Sequence, residues 1–232
     1  MKSAYLVDTI LPCGEIHLVG GPTGAGKTRW LFDTLLDWQA GRSVLGYRSH
    51  PCRWAYVSCD RRDASVYRTL ETMGIDPKDI PLVGGMSRKL TLSQILDEVQ
   101  KMAAKLVVIE AFGGFVDPPN SVTVRNFFYS FQDILEKTGM TIIGVVESPK
   151  MKPKERYANP RQRISGAAAW GHYAETIVLV EPKTPEIPNS PRVVTVCPRN
   201  ASEIRFDAMF EGGRLVPVIP SKHPDLTKIG EL

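Results

Sequence analysis

The sequence contains few cysteines and histidines, and neither residue type is arranged as a metal site. The four cysteines, Cys13, Cys52, Cys59 and Cys197, are widely spaced, with no Cys-x-x-Cys pair and no nearby histidine to complete a zinc pattern. We therefore expect reduced thiols. The four histidines also lack metal-ligand spacing, so we assign them no role.

Long apolar runs, internal repeats and low-complexity tracts are absent from the sequence as well. Residues 1–12 show no basic segment followed by an apolar stretch and a small-residue cleavage site, and no run is long enough to span a bilayer. These features predict a cytoplasmic protein. With 232 residues, one domain over 1–232 is expected, with a lead-in at 1–14 and a tail at 220–232.

The overall composition is that of an ordinary folded protein with a mildly basic balance. Hydrophobic residues make up 43% of the chain and charged residues 23%, which excludes a wholly disordered or fibrous chain. The net charge is +4 and the pI is about 8.9. This balance favours acidic partners such as nucleic acid, but many enzymes share it.

Hydrophobic patterning predicts strands and helices that alternate along the chain. Strands are expected at 15–20, 54–59, 105–110 and 140–146, and helices at 28–40, 60–73, 90–104 and 122–137. This order is typical of an α/β fold with a mostly parallel sheet flanked by helices. Three further β-rich stretches, 175–180, 192–197 and 203–210, are expected to extend the sheet antiparallel at one edge.

A complete phosphate-binding motif lies between the first predicted strand and the first predicted helix. It consists of Gly21, Pro22, Thr23, Gly24, Ala25, Gly26, Lys27 and Thr28. The glycines let backbone N–H groups curl round phosphate oxygens, and Lys27 would neutralise the β- and γ-phosphates. Thr28 would supply a hydroxyl to magnesium, so the motif predicts ATP and Mg²⁺ as ligands.

Two carboxylates follow predicted strands and are candidates for the chemistry. Glu110 ends the strand at 105–110, at the distance from the loop expected for the acid that holds magnesium through water, although aspartate is commoner there. Asp60 ends the strand at 54–59, which neighbours the first strand in many such sheets, and is the candidate catalytic base. Asp63 and Glu71 are alternatives, and Asp60 could instead be a plain helix cap.

Four stretches of the chain together resemble the RecA-like P-loop ATPases, and within them the plasmid RepA and DnaB-type hexameric helicase branch. The stretches are 11–15 before the glycine loop, 56–60, 106–110 and 163–170, and they span nearly the whole chain. That family usually has Glu at the position of Asp60 and Asp at the position of Glu110. This chain therefore has a shorter side chain at position 60 and a longer one at position 110, a difference that affects the hydrolysis rate more than nucleotide binding.

The resemblance also implies a sensor residue and an arginine finger. A polar sensor is expected at the end of the fourth strand, where this chain has Glu147 and Ser148, of which we favour Ser148. Arg199 corresponds to the stretch whose basic residue reaches a neighbouring subunit's γ-phosphate, which implies a hexameric ring or a filament. Arg205 and Arg214 are rivals, and Arg199 could instead be an ordinary surface residue of a β-turn.

A basic segment at 149–163 occupies the place of a central-channel DNA-binding loop in these proteins. Its candidate nucleic-acid contacts are Lys150, Lys152, Lys154, Arg156, Tyr157, Arg161 and Arg163. Cations would meet phosphates while a base stacks on the tyrosine, although many such loops are simply solvated. The loop at 112–120, rich in glycine and proline, is a weaker second candidate.

Three functions are consistent with these residues. The first is an ATP-hydrolysing motor or filament protein on single-stranded DNA in replication or recombination, as a helicase or an annealing ATPase. The second is an ATP-dependent assembly switch or scaffold, KaiC-like or loader-like, without translocation. A small-molecule kinase is the third, but the sequence shows no clear Arg-rich lid, and its three β-rich C-terminal stretches argue against it.

Overall fold

The computed structural model describes residues 5–84, 90–117, 119–148, 159–164, 169–184, 187, 189–211 and 214–218. Eleven strands and five α-helices occur in this part of the chain. The strands are β1 (Tyr5–Val7), β2 (Leu11–Pro12), β3 (Ile16–Gly21), β4 (Trp54–Val57), β5 (Leu82–Val83), β6 (Leu106–Ile109), β7 (Thr141–Glu147), β8 (Thr176–Pro182), β9 (Arg192–Pro198), β10 (Ile204–Glu211) and β11 (Arg214–Val218). The helices are α1 (Lys27–Gln39), α2 (Asp63–Thr72), α3 (Leu92–Lys101), α4 (Ser121–Thr138) and α5 (Ala169–Tyr173).

Nine of the strands form one sheet, in the order β11-β10-β9-β8-β3-β7-β6-β4-β5. The strands from β8 to β5 in this order pair in parallel, and β9, β10 and β11 add antiparallel. The predicted mostly parallel sheet with an antiparallel C-terminal extension is therefore confirmed. The remaining two strands, β1 and β2, form a short antiparallel hairpin before β3.

Two expectations about the sheet were wrong. The strand β8 pairs in parallel with β3, so the antiparallel extension begins one strand later than predicted. The strand β4, which ends three residues before Asp60, does not neighbour β3, because β7 and β6 lie between them. A pattern of buried residues identifies strands, but the order of the strands depends on how the connecting helices pack.

Local signals in the sequence set the ends of the helices. Thr91 caps α3 by accepting a hydrogen bond from the backbone of Gln94, whose side chain accepts one from the backbone of Thr91. Asn120 caps α4 in the same way, and α4 ends at Gly139 in the left-handed conformation that glycine favours. None of the helices in the described ranges is both long and apolar enough to cross a membrane.

The sheet separates two apolar cores. One contains α1 and α2 and is centred on large side chains such as Phe32 and Tyr56, whose ring centroids are 4.6 Å apart. The other contains α3, α4 and α5 and is centred on Phe112 and Trp170, whose centroids are 6.0 Å apart. Since alternate residues of each central strand face opposite cores, β3 is buried on both sides and gives the loop that follows it a rigid origin.

His17 is buried within β3 and makes the stability of the fold depend on pH. Its Nε2 donates to the carbonyl of Pro12 over 3.0 Å, and its Nδ1 has no hydrogen-bond partner among the described residues. Burial lowers the pKa of His17 to about 4, although the bond to Pro12 opposes the shift. The neutral ring is thus the form that the folded protein contains at pH 7.

We expect His17 to cost stability as the pH falls from about 6.5 to about 4. In this window His17 is protonated in the unfolded chain but stays neutral in the folded protein, because its pKa is lower in the folded protein. Proton binding therefore stabilises the unfolded chain. The loss attributable to this residue is about 3 kcal/mol at pH 4. Urea unfolding of the wild type and His17→Gln at pH 7 and pH 4 measures it. If the free energy of unfolding falls by the same amount between pH 7 and pH 4 in both proteins, His17 is not the cause of the loss.

Candidate functional site

The glycine loop connects β3 to the first turn of α1 and has the conformation of a phosphate cradle. Gly24 and Gly26 have positive φ angles of 77° and 98°, which glycine adopts without strain. Gly26 precedes Lys27, the first residue of α1, so the helix N-terminus points into the cradle. A side chain at Gly21 would collide with the backbone carbonyl of Val180 on the adjacent strand β8.

Residues from the C-terminal strands support the loop. The ring of Phe210 on β10 lies against Gly26, where an added Cβ would approach its Cζ to 2.6 Å. Arg192 on β9 is 7% exposed and donates from Nε to the carbonyl of Ala25 over 2.9 Å. Its guanidinium also stacks 4.9 Å from the Phe210 centroid. Sequence analysis did not identify this support, because no motif links positions so distant along the chain.

Lys27 lies inside the loop that precedes it. Its Nζ donates to the carbonyls of Gly21 and Pro22, over 2.7 and 3.2 Å. Burial lowers the pKa of Lys27, while the carboxylates of Glu147, Glu110 and Asp60 act in the opposite direction. The ammonium group therefore lies against the loop backbone, the position from which a lysine reaches a bound triphosphate.

Thr28 and Glu110 meet at the carboxyl ends of the parallel strands. Glu110 follows β6, its side chain is only 4% exposed, and its Oε1 accepts a 3.0 Å hydrogen bond from the Thr28 hydroxyl. Arg61 contacts both residues: its guanidinium forms an ion pair with Glu110 and donates to the Thr28 hydroxyl over 3.3 Å. The structure thus joins the two predicted metal ligands and adds an arginine that sequence analysis had not singled out.

The environment of Glu110 fits a cation. The pKa of Glu110 is raised by burial, an effect that the Arg61 guanidinium opposes. The pKa of Tyr56, whose ring is fully buried beside Glu110, is raised well above its usual value, first by burial and then by the negative charge of that carboxylate. Such a buried carboxylate requires a positive partner.

The oxygens of Thr28 and Glu110 are also suitable ligands for magnesium. Mg²⁺ prefers hard oxygen donors and is commonly held by one hydroxyl or carboxylate from the protein together with phosphates and waters. Here a hydroxyl and a carboxylate oxygen lie 3.0 Å apart next to the lysine of the phosphate loop. The residues therefore fit the metal that the loop motif implies.

Asp60, the predicted catalytic base, lies at the edge of this cluster. Its side chain is 51% exposed and its Oδ1 is 3.8 Å from the Nε of Arg61. Although β4 does not neighbour β3, the negative charge of Asp60 acts to raise the pKa of both Lys27 and Glu110. The alternatives lie in α2: Asp63 is its first residue and Glu71 is exposed in its last turn.

The end of β7 contacts the glycine loop through both predicted sensor positions. Glu147 accepts a 2.8 Å hydrogen bond from the Thr23 hydroxyl, and the backbone N–H of Ser148 donates to the carbonyl of Gly21 over 3.2 Å. The Ser148 hydroxyl is buried without a hydrogen-bond partner among the described residues. The structure brings these residues to the phosphate loop, which is where a sensor must lie.

Arg199, the predicted arginine finger, follows β9 and is bound within its own chain. Its Nε lies 2.9 Å from Oε2 of Glu175, and its Nη2 donates to the carbonyl of His172 over 2.6 Å. Of its rivals, Arg214 lies 3.5 Å from Asp33 on α1, whereas Arg205 is exposed on β10. The assignment of the finger remains a prediction.

Only the last part of the basic segment lies within the described residues. Lys150, Lys152, Lys154, Arg156 and Tyr157 fall outside them. Arg161, in a 3₁₀ turn at Pro160–Gln162, donates to four backbone carbonyls, those of Gly171, Ala174, Glu175 and Cys197. Arg163 is 9% exposed and lies 3.0 Å from Glu181. Intramolecular partners thus account for both arginines, and their proposed contact with nucleic acid is untested.

The loop at 112–120 begins with an aromatic anchor. Phe112 is fully buried, with its ring centroid 4.9 Å from Phe127 and 5.7 Å from Phe131, both on α4. It opens a 3₁₀ helix at Phe112–Phe115. Phe112 is therefore a core residue, and only the later part of the loop could meet a ligand.

Comparison with known proteins supports this description. A family model described as an AAA domain matches residues 2–152. No curated protein matches the chain. Among solved structures, a KaiC-like protein from the hyperthermophilic archaeon Pyrococcus horikoshii OT3 is similar, with a TM-score of 0.63, 17% identity, and coverage of 94% of this chain and 97% of that one. The RecA-like fold predicted from the sequence is thus confirmed.

Proposed function

Since the chain belongs to the AAA domain family of P-loop ATPases, we propose that it hydrolyses ATP with magnesium and uses the energy as a motor or filament protein on single-stranded DNA. One observation carries the nucleotide part of the proposal. The glycine loop, Lys27, Thr28 and Glu110 converge at the carboxyl ends of parallel strands, the place where α/β sheets bind their ligands.

Each residue of the site has a chemical task in this proposal. The loop backbone from Gly21 to Gly26 binds the phosphates, and Lys27 neutralises their charge. Thr28 and Glu110 would hold the metal, which would withdraw charge from the phosphoryl oxygens when bound. Asp60 orients the attacking water, and the exposed position of its carboxylate leaves room for that water.

The proposed action on DNA rests on the basic segment and on the resemblance to the RepA and DnaB-type branch. Six cations, Lys150, Lys152, Lys154, Arg156, Arg161 and Arg163, accompany one acid, Glu155, and one aromatic residue, Tyr157. Cations that follow a phosphate backbone and aromatics that stack on bases are how proteins bind single strands without sequence preference. A ring or filament of copies would align these segments, with Arg199 reaching the neighbouring site.

The similarity to a KaiC-like protein favours a second candidate function. In this alternative the nucleotide controls assembly of the protein with itself or a partner, and the basic segment does not bind DNA. The intramolecular contacts of Arg161 and Arg163 are compatible with it, because both arginines have protein partners already. The two functions share the same ATP site and differ in their response to DNA.

ATP hydrolysis with and without single-stranded DNA separates the two functions. For a motor or filament protein we expect DNA to raise turnover by roughly tenfold, because binding along the strand brings neighbouring sites together. Replacing Lys150, Lys152 and Lys154 with alanine should abolish the stimulation and leave basal turnover intact. If single-stranded DNA does not change ATP turnover at any salt concentration, the assembly switch is favoured.

The variant Arg199→Ala tests whether Arg199 of one subunit acts at the ATP site of its neighbour. If Arg199 acts on a neighbour's nucleotide, the variant should bind ATP normally and lose the stimulation by DNA, a fall of roughly tenfold in turnover with DNA present. Arg205→Ala is the matched comparison, because Arg205 is a rival on the adjacent strand β10. Unchanged turnover in Arg199→Ala would remove this residue from the site.

A further inference from the structure

Arg61 binds the two side chains that are expected to hold magnesium. It lies between β4 and α2, and its side chain is 27% exposed. Its Nε donates to Oε2 of Glu110 over 3.2 Å, and its Nη2 contacts both Oε1 of Glu110 and the Thr28 hydroxyl. The bidentate pairing with a carboxylate is the strongest geometry available to an arginine.

The guanidinium and a magnesium ion require the same oxygens. Thr28 and Glu110 are joined by a hydrogen bond of 3.0 Å, and Arg61 closes the triangle by contacting both. A divalent cation at these oxygens would lie against the guanidinium, and two positive charges at that separation repel strongly where little water screens them. If magnesium binds at these oxygens, the guanidinium would therefore have to leave them.

From this geometry we propose that Arg61 occupies the oxygens of Thr28 and Glu110 and competes with magnesium for them. The inference rests on the proposed ATPase function, since it concerns the metal of the same site. Binding of the magnesium nucleotide then requires the Arg61 side chain to leave the two oxygens. The magnesium concentration needed for nucleotide binding therefore depends in part on this exchange of the arginine for the ion.

The backbone at Arg61 is fixed, so the exchange involves the side chain. The buried Ser58 hydroxyl donates to the carbonyl of Arg61 over 2.9 Å, and the Ser58 backbone N–H donates to Val83 on β5 over 3.2 Å. On its outer side, the Nε of Arg61 is 3.8 Å from Asp60, which is 51% exposed. The guanidinium therefore has a second carboxylate next to it, toward solvent, that can accept it on release.

Removing the guanidinium should make the site bind magnesium more tightly. In Arg61→Ala, Glu110 remains buried with no arginine to balance its charge, so a cation gains more by binding there. The magnesium concentration that half-saturates binding of a fluorescent ATP analogue should fall at least about tenfold relative to the wild type. Affinity for the analogue in EDTA should not rise. Arg62→Ala, at the adjacent exposed arginine, should behave like the wild type.

A second measurement needs no nucleotide. Magnesium alone should raise the melting temperature of Arg61→Ala by several degrees more than that of the wild type, and Glu110→Gln in the same background should abolish the difference. If neither protein binds nucleotide, the ATPase proposal fails, whereas this thermal shift still decides the role of Arg61. The same magnesium dependence in Arg61→Ala and wild type, by both readouts, would overturn the inference.

Should Arg61→Ala not fold, Arg61→Lys provides the same test. A lysine ammonium keeps the positive charge, but it cannot bond in bidentate fashion to the carboxylate and also reach the Thr28 hydroxyl. We expect the half-saturating magnesium concentration of Arg61→Lys to lie between those of Arg61→Ala and the wild type, roughly two- to tenfold lower than in the wild type. A requirement equal to that of the wild type would count against the exchange.

Discussion

Replacing Lys27 with alanine is expected to lower ATP hydrolysis by about 10²- to 10³-fold. The ammonium group lies in the loop, bonded to the carbonyls of Gly21 and Pro22, and it is the cation positioned to balance charge on the transferring phosphoryl group. The variant should also lose about 1 to 3 kcal/mol of stability, because the carbonyls of two buried residues, Gly21 and Pro22, lose their donor. Steady-state phosphate release at saturating magnesium measures the loss.

Lys101→Ala is the matched control for this experiment. Lys101 is 73% exposed at the end of α3 and pairs on the surface with Glu98, at 3.1 Å. Its removal should leave turnover unchanged and stability within about 0.5 kcal/mol of the wild type. Hydrolysis by Lys27→Ala within a few fold of the wild type would show that the loop is not the catalytic phosphate site.

Arg161→Ala is expected to destabilise the protein by roughly 3 to 5 kcal/mol. Its guanidinium joins three parts of the chain by donating to carbonyls of α5, of the turn at Ala174 and Glu175, and of Cys197 on β9, over 2.9 to 3.1 Å. Without these donors, four part-buried carbonyls lose a charged partner at once. Urea unfolding at neutral pH measures the change.

Arg125→Ala controls for the loss of an arginine as such. Arg125 is exposed on α4, and its removal should change the free energy of unfolding by less than about 0.5 kcal/mol. An Arg161→Ala protein as stable as this control would contradict the structural role. Comparison of the two variants also bears on the DNA hypothesis. Weaker DNA binding by Arg161→Ala can be interpreted only when the fraction of folded protein is known.

The parts of the fold that could be predicted from the sequence are those encoded by consecutive residues. The buried run at 106–109 is apolar because both faces of β6 contact a core, and such runs predict parallel strands. The glycine loop could be predicted for the same reason, because the residues that define it, Gly21, Gly26, Lys27 and Thr28, lie within eight consecutive positions. These predictions held within a few residues at the ends of each element.

What could not be predicted depends on contacts between distant segments. The direction of β8 is set by its pairing with β3, and a short buried strand such as 176–180 has the same pattern in either direction. Arg61 and Arg192 belong to no local motif, and their roles follow from Glu110 and Ala25, which are 49 and 167 positions away. The strand β11 was missed because its alternation is interrupted by Pro217.

The support of the phosphate loop by Phe210 and Arg192 has a consequence for biosynthesis. On the ribosome the glycine loop is made first, and about 170 more residues must follow before Arg192 can bond to Ala25. Until β9 and β10 have emerged and folded, the loop lacks the ring that packs under Gly26. A nascent chain therefore carries the complete nucleotide motif long before these supporting contacts can form, and we expect the onset of ATP binding to follow the completion of the sheet.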